Sequence, residues 1–427
     1  MSSDRLSFGI RANLSQFSIQ LLQVFLVGLT IGMMRNVVPA VASEEFGLQQ
    51  NSFTLLASFV VAFGFIKGTM NFFAGGLSER LGRKKVLLLG WFFALPIPYL
   101  VLYAENWYWI VAATAFLGIN QGLAWSMTLT SKLDLTRPTQ KGLVNGLNEF
   151  SGYFAVAVAG VVTAYLATSL GTRVGLFWFG ISTIVLAIFL VFFTVRETLP
   201  WVKEESERLD GREANKNSIK PISTFEVFRR VSWEDKRMFA FSQAGLVEKF
   251  VDAIVWIFYP LFLLQQGLDL KQAGWVIGIY GTVWGASQLL TGPLSDRVGR
   301  RIPIVAGMYL SGMGVIMMLW GEGILWWSFS SALAGFGMAL LYPNLGAAVA
   351  DIAHPSWRSS ALGVYRFWRD LGYGIGALGL GITAQSTGYI EYAFWFVAVA
   401  MFVSGFVVML LGCETHPLLQ KEKRVLQ

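Results

Sequence analysis

The chain alternates between long apolar runs and short polar breaks along its whole length. Apolar runs lie near 16–40, 52–75, 85–103, 108–131, 142–168 and 174–195, then near 239–264, 273–293, 302–320, 325–348, 359–384 and 390–412. A helix of about twenty such residues crosses a hydrocarbon layer of about 30 Å. The pattern therefore predicts an all-α integral membrane protein with twelve transmembrane helices and the lipid bilayer as its surroundings. The first run, flanked by Arg5, Arg11 and Ala40-Val41-Ala42, imitates a cleaved signal peptide. It is too long for one and Arg35 interrupts its end, so it reads as the first span. The stretch 196–238 contains KEESERLDGREANKNSIK, too polar to cross. It is expected to be a partly disordered linker with a short amphipathic piece around TFEVFRRV. The expected division is a six-helix half over 1–195, the linker 196–238, and a second six-helix half with a short tail over 239–427.

Composition agrees with this reading. Of 427 residues 55% are hydrophobic and only 14% charged, against roughly 25% charged in a soluble domain, and mean hydropathy is +0.55. The net charge of +7 has a topological explanation, not a nucleic-acid one. Loops on one side carry Arg80, Arg83, Lys84, Lys85, Lys132, Arg137, Lys141, Arg297, Arg300, Arg301 and Arg358, and the linker is also basic. The opposite loops offer Arg173 and Lys271 beside Glu44, Glu45, Glu105, Glu322 and Glu391. Basic loops face the cytoplasm, which places both termini there, with the chain in the plasma membrane (the inner membrane in a bacterium). Cys413 is alone, so no disulfide framework exists. His354 and His416 have no partners at ligand spacing, so no metal or cofactor is expected. Nor is an enzyme, because no phosphate-binding loop or nucleophile–base arrangement appears.

A short charged phrase occurs twice: GGLSERLGRKK at 75–85 and GPLSDRVGRR at 292–301, 217 positions apart. The same shift maps Glu79 on Asp296, Asp134 on Asp351, Pro138 on Pro355, Lys141 on Arg358, Gly146 on Gly363 and Glu197-Thr198 on Glu414-Thr415. Pro39 and Pro260 fit only with a shift of 221, so the first half has a longer outer loop. One constant offset implies two homologous halves related by an axis along the membrane normal, with a binding cleft between them.

With Gly75, Leu77, Ser78, Glu79, Arg80, Gly82, Arg83 and Lys84 in the first copy, and Gly292, Leu294, Ser295, Asp296, Arg297, Gly299, Arg300 and Arg301 in the second, the chain resembles the major facilitator superfamily over nearly its whole length. That resemblance implies a transporter working by alternating access as a rocker switch. It also implies that Glu79 latches onto the start of span 11 and Asp296 onto the start of span 5. Gly82 and Gly299 suit tight turns. Departures matter too. Gly118 stands where drug/proton antiporters carry an arginine, their Gly-Pro signature is absent from Gly152–Ala167, and the sugar-porter signatures are reduced to Arg196-Glu197-Thr198 and Cys413-Glu414-Thr415.

Ionisable residues inside apolar spans cost several kcal/mol unless paired or hydrated and so mark function. They are Arg35 in span 1, Lys67 in span 2, Glu149 in span 5, Glu248, Lys249 and Asp252 in span 7, and Arg366, Arg369 and Asp370 in span 11. Glu248 and Asp252 share a face, and Arg366 and Asp370 are spaced to pair within span 11. Either these groups are fixed ties or one acid among Glu149, Asp252 and Asp370 carries a coupling proton. Arg35 and Lys67 are candidates for an anionic or zwitterionic substrate. Asn120, Gln121, Trp256 and Tyr342, with the stripe Gln16, Gln20 and Gln23, are expected to line the cavity. The expectation is a monomeric secondary active transporter of a small molecule, coupled to protons. An uncoupled facilitator, a drug or metabolite efflux antiporter and a transporter-like sensor or scaffold remain open.

Overall fold

The computed structural model describes residues 6–44, 53–212, 223–417 and 419, and among these it is helical with no strand. The helices are α1 (Leu14–Glu44), α2 (Phe53–Leu81), α3 (Arg83–Ala94), α4 (Pro96–Leu102), α5 (Trp107–Asn120), α6 (Ser126–Leu135), α7 (Lys141–Leu170) and α8 (Thr172–Thr194). Then come α9 (Leu199–Arg212), α10 (Thr224–Arg229), α11 (Lys236–Gln265), α12 (Leu270–Val298), α13 (Arg301–Met317), α14 (Ile324–Ile352), α15 (Arg358–Thr387) and α16 (Glu391–Leu411). Expected span 3 divides at Leu95, where Pro96 and Pro98 remove backbone donors and start α4. Span 4 is α5 and α6 joined through a π turn at Gln121–Trp125.

Among the described residues, eight helical spans are both long and apolar enough to cross a membrane. The shortfall from twelve has a physical cause: α11 and α15 carry the buried charges, α12 is rich in Gly, Ser, Thr and Gln, and α13 is short. In the linker the expected short piece TFEVFR is α10, continued by a π turn at Arg230–Glu234, while residues 199–212 form a helix, α9, that its polar sequence did not announce; residues 213–222 lie outside the described residues. The Ser223 hydroxyl caps α10 by accepting from the Glu226 amide at 3.2 Å.

One apolar core gathers residues of α1, α3, α5 and α8, with Trp91, Leu117 and Ile184 fully buried. The other gathers α11 to α16 around Ile304, Met338 and Val397. Two seams join the helices that bear these cores: α2 runs along α15, and α7 along α12. Glycine makes both possible. A Cβ on Gly75 would lie 2.6 Å from the Ser359 carbonyl, and one on Gly292 would lie 2.6 Å from the Gly142 carbonyl. Those two contacts are related by the sequence offset, so the repeated phrase builds the same seam twice. Lipid offers no hydrophobic drive between helices, so close backbone approach at small residues carries the association.

Gly363→Val tests the seam, because a Cβ there would meet the Asn71 carbonyl at 2.7 Å. Overpacking of this kind costs about 1–3 kcal/mol, so the expected outcome is a lower thermal unfolding midpoint in detergent. An unchanged midpoint would mean that α2 and α15 do not need this approach.

Candidate functional site

At the end of the bundle that carries the repeated phrase, the basic end, charges are arranged in two matching sets. Arg83 donates from Nε to Asp134 at 2.9 Å, and Arg300 donates from Nε to Asp351 at 3.1 Å. The Glu197 carboxylate accepts from the Arg83 amide at 2.9 Å and the Glu414 carboxylate from the Arg300 amide at 2.9 Å. Each acid caps the exposed amides that begin α3 or α13. The turns before them need positive φ, +98° at Gly82 and +95° at Gly299, where a side chain would be strained and would strike the capping acid. Thr198 donates to Asp134 at 2.8 Å. The short Glu-Thr echoes at 197 and 414 are therefore helix caps and ties of the repeated motif.

The acids of the phrase reach across the seams. Glu79 accepts from the Ser360 amide at 2.8 Å and its hydroxyl at 2.7 Å, at the start of α15. Asp296 accepts from the Gly142 and Leu143 amides at 3.0 and 2.9 Å, at the start of α7. Lys141 adds an ion pair to Asp351 at 3.2 Å, and Arg358 grips Glu205 of α9 with two bonds of 3.0 and 2.9 Å. Burial works to raise the Glu205 carboxyl, but the Arg358 guanidinium outweighs it and holds the group below its ordinary value. Several basic residues assigned to loops are in fact buried: Arg83, Lys132, Lys141, Arg300 and Arg358. Their charges are spent on partners within the bundle. Arg80 and Arg297 are exposed and stand outside these networks.

A second cluster occupies the middle of the bundle. Lys67 of α2 faces Asp370 of α15 at 3.5 Å, and Arg369 binds the same carboxylate at 2.9 and 3.2 Å. Asn71 donates to Asp370 at 2.6 Å and accepts from Ser126 at 2.6 Å, while Arg366 donates to Ser126 at 2.8 Å. The expected pair Arg366–Asp370 is thus replaced: Asp370 turns to its neighbour Arg369 and to α2, and Arg366 turns to α6. On α11, Lys249 pairs with Asp252 at 3.0 Å and Glu248 at 3.5 Å. Tyr280 and Tyr373 also donate to Asp252, at 3.0 and 2.9 Å. Glu149 accepts from Trp125 at 3.1 Å and Asn148 at 2.8 Å.

Aromatic rings enclose the two lysines. Lys67 lies over Phe63, Trp125 and Tyr373 at 5.3, 5.6 and 5.8 Å from the ring centres. Lys249 lies over Tyr342 at 4.2 Å, Tyr373 at 5.0 Å and Trp284 at 5.4 Å. Ring quadrupoles help to stabilise these desolvated ammonium groups beside their carboxylate partners. Beyond Lys67, away from the basic end, a small apolar pocket is lined by Ile31, Met34, Val60, Phe63, Thr114, Leu117 and Trp256. Among the described residues no group of three or more His, Cys, Asp and Glu side chains could hold a metal.

The family model described as Major Facilitator Superfamily matches residues 21–248 and 244–425. The chain belongs to the major facilitator superfamily. An uncharacterised transporter of this type from Salmonella typhimurium is 22% identical over 404 residues, covering 91% of this chain and 94% of the relative. A probable 4-methylmuconolactone transporter from Cupriavidus pinatubonensis is 23% identical over 397 residues, covering 87% of each. Among solved structures, the human organic anion transporter TETRAN matches with a TM-score of 0.76 at 16% identity, covering 93% of this chain and 99% of that one. A proton:xylose symporter matches with a TM-score of 0.74 at 16% identity, covering 94% and 97%. At these identities the structural likeness shows the fold alone.

For this superfamily member the other predicted residues separate cleanly. Asn120 donates to the Gly90 carbonyl at 3.0 Å and Gln121 to the Val27 carbonyl at 3.0 Å. Gln23 bridges Trp91 and Ala187. They tie α1, α3, α5 and α8 together instead of lining a cavity, because a buried amide bonds to the nearest backbone. Tyr342 and Trp256 do belong to the central cluster, Trp256 stacking on Tyr373 at 5.4 Å. The side chain of Arg35 lies outside the described residues. Asn71, one turn after Lys67 on the same helix, joins the site through Asp370, whereas Ser126, Tyr280, Tyr373 and Trp284 join it unannounced: uncharged polar and aromatic residues in apolar spans give no signal until a charge is placed beside them.

Two outcomes test the basic end. Asn145 of α7 is buried against α14, where a Cβ on Gly346 would lie 2.9 Å from its amide oxygen; in a Cys413→Ser background Asn145→Cys probes this contact, and adding Asp296→Asn should raise its labelling by an impermeant thiol reagent. Losing a charged helix cap costs roughly 1 kcal/mol, so the rise should be about fivefold. The Glu205–Arg358 tie has a defined pH window. A carboxyl depressed below its ordinary 4.5 gives stability that is present above that value and lost only as pH falls through the lower folded value. Cross-linking between cysteines on α9 and α15 should therefore be constant from neutral pH down to about pH 5 and fall only under stronger acid; a fall near neutral pH would remove this tie.

Proposed function

We propose that this superfamily member is a secondary active transporter of an organic anion, coupled to protons, in a plasma membrane. The observation that carries this reading is Lys67, a buried ammonium whose carboxylate partner, Asp370, lies at 3.5 Å on α15 across the seam. Asp370 is already bound by Arg369 and Asn71, so a substrate carboxylate can take Lys67 while Asp370 stays neutralised. The aromatic walls and the apolar pocket beside Phe63 suit the carbon body of such a solute. Supporting context comes from relatives: one is named a probable 4-methylmuconolactone transporter, and one fold neighbour is an organic anion transporter.

In this reading the basic end faces the cytoplasm, and the Glu79 and Asp296 latches close that side. Substrate then enters from the opposite side, where the apolar pocket lies. The two halves, 1–195 and 239–427, rock about the central ties, and replacing Lys67–Asp370 by Lys67–substrate weakens one tie across the α2–α15 seam. A ligand shifts such an equilibrium only through its differential contact with the two states.

Benzoate is the test probe and benzamide its uncharged counterpart. Purified protein should be stabilised against heat by benzoate and not by benzamide. Truncating one partner of a buried charge contact costs about 2–5 kcal/mol, so Lys67→Met should weaken benzoate binding at least thirtyfold. Equal effects of benzoate and benzamide, or benzoate binding untouched in Lys67→Met, would sink the organic-anion reading. Uptake into proteoliposomes that equilibrates but never accumulates benzoate under a proton gradient would replace coupling by facilitation.

A further inference from the structure

We propose that Glu248 carries the coupling proton, and that charge balance links its protonation to the seating of a carboxylate on Lys67. The inference rests on the organic-anion reading and deepens it. Glu248 of α11 and Asp370 of α15 each lie twelve residues inside their helices from the basic end, counted from Lys236 and Arg358. At 1.5 Å per residue both stand about 18 Å deep, at one level of the bundle. Glycine presses α11 and α15 together here. A Cβ on Gly245 would lie 2.6 Å from the Tyr365 ring, and one on Gly376 would lie 2.7 Å from the Phe250 ring.

Glu248 is fully buried, and neither of its carboxylate oxygens makes a hydrogen bond among the described residues. Lys249 lies 3.5 Å from Oε1. That ammonium is already committed to Asp252, to which it donates at 3.0 Å. Asp252 also accepts from Tyr280 and Tyr373, at 3.0 and 2.9 Å. Of two acids one turn apart on α11, one collects the donors and the other collects none. Two carboxylates that share one ammonium in a buried place do not both stay ionised. The one without a hydrogen bond takes the proton.

The charged and titratable groups that face Glu248 are Lys249 and Asp252 from its own helix, Arg369, Asp370 and Tyr365 from α15, and Tyr342 from α14. Asp370 in turn holds Lys67 of α2 at 3.5 Å. The charges fall into two groups. Around Glu248, Lys249 is one cation for two carboxylates. Around Asp370, Arg369 and Lys67 are two cations for one carboxylate. The first group takes a proton and the second an anion. Together the three cations and three acids balance when both are absent and again when both are bound. Either one alone leaves a net charge in a dry interior, which is costly. A proton from water forms an O–H bond on Glu248 as the carboxylate settles on Lys67, and that bond breaks when the anion leaves. No other bond forms or breaks. By linkage, the proton favours the anion as much as the anion favours the proton.

The two groups are close enough to act on each other. Lys67 and Lys249 lie over the same Tyr373 ring, 5.8 and 5.0 Å from its centre, so the sum of these distances, 10.8 Å, bounds their separation. At that range two charges still interact through a poorly screening interior. Tyr373 also gives its hydroxyl to Asp252, which ties the ring to the Glu248 side. The other buried acids are poorer carriers. Asp370 is held by Arg369 and Asn71, and Glu149 accepts from Trp125 and Asn148.

The test measures radiolabelled benzoate binding from about pH 9 to about pH 6, and proton uptake on binding in weak buffer. It also measures initial benzoate uptake into proteoliposomes, above that of protein-free vesicles, under an inward proton gradient. The protein should bind more tightly as pH falls, by up to about tenfold per unit, and take up about one proton per benzoate where that slope is steepest. Glu248→Gln should bind with no pH dependence, take up no proton and show no acceleration by the gradient, while still exchanging benzoate across the membrane. Persisting pH dependence or proton uptake in Glu248→Gln overturns the proposal, as does their loss in Glu149→Gln in place of Glu248→Gln. If Glu248→Gln fails to fold, Glu248→Asp decides alone: a pH dependence identical to that of the protein overturns the proposal and a displaced one supports it. Absence of benzoate binding by the protein itself overturns the organic-anion reading and this inference with it. Benzoate binding by the protein that does not vary with pH overturns only the role of Glu248.

Discussion

Asp370 is the group on which the rest of the structure depends. A lone carboxylate in the middle of a membrane bundle is untenable, and here Arg369, Lys67 and Asn71 share the task of holding it. Arg369 belongs to its own helix, but Lys67 and Asn71 come from α2, so its neutralisation ties one half of the molecule to the other. Such a tie is strong in a medium of low dielectric and becomes costly when one partner departs.

The two seams use a different physics from the centre. Close glycine contacts bring backbones together, and carboxylates from the partner helix complete amide groups that would otherwise end α7 and α15 unsatisfied. These bonds form only where the ends of α7 and α15 meet the partner helix. The linker adds to this side: α9 grips Arg358, and Phe228 packs against Phe72 and Phe367 at 5.3 and 5.8 Å, between α2 and α15. A segment that joins the halves in sequence therefore also fastens them in space.

Much of this was legible from residues alone. The helical class follows from apolar run length, and the repeated phrase named both acids that later proved to reach across the seams. Membership of the superfamily was visible in the same phrase. The linker helix α9 was not visible, because its charged sequence resembles disorder unless it is bound by Arg358 and by the N-terminal segment, where the Leu6 amide donates to Glu204 at 3.0 Å and Trp201 donates to the Ser7 carbonyl at 3.2 Å. Spacing also misjudged Arg366: an i,i+4 interval makes a pair available on an isolated helix, but Ser126 of a neighbouring helix competes and wins. Lys132 was counted among the basic loop residues because its surrounding sequence is polar, although α6 carries it to full burial.

What the sequence by itself determined is set by local and periodic physics. It determined which segments are apolar enough to leave water, where glycine permits a turn or an approach, and which charges are too deep to be accidental. What only the tertiary structure decided is the pairing of those charges. Lys67 with Asp370, Arg366 with Ser126, and Glu149 with Trp125 join residues from different helices, some of them hundreds of positions apart. Coulomb and hydrogen-bond energies depend on distances of a few ångströms in a poorly screening interior. Those distances are created by helix packing and by no interval along the chain.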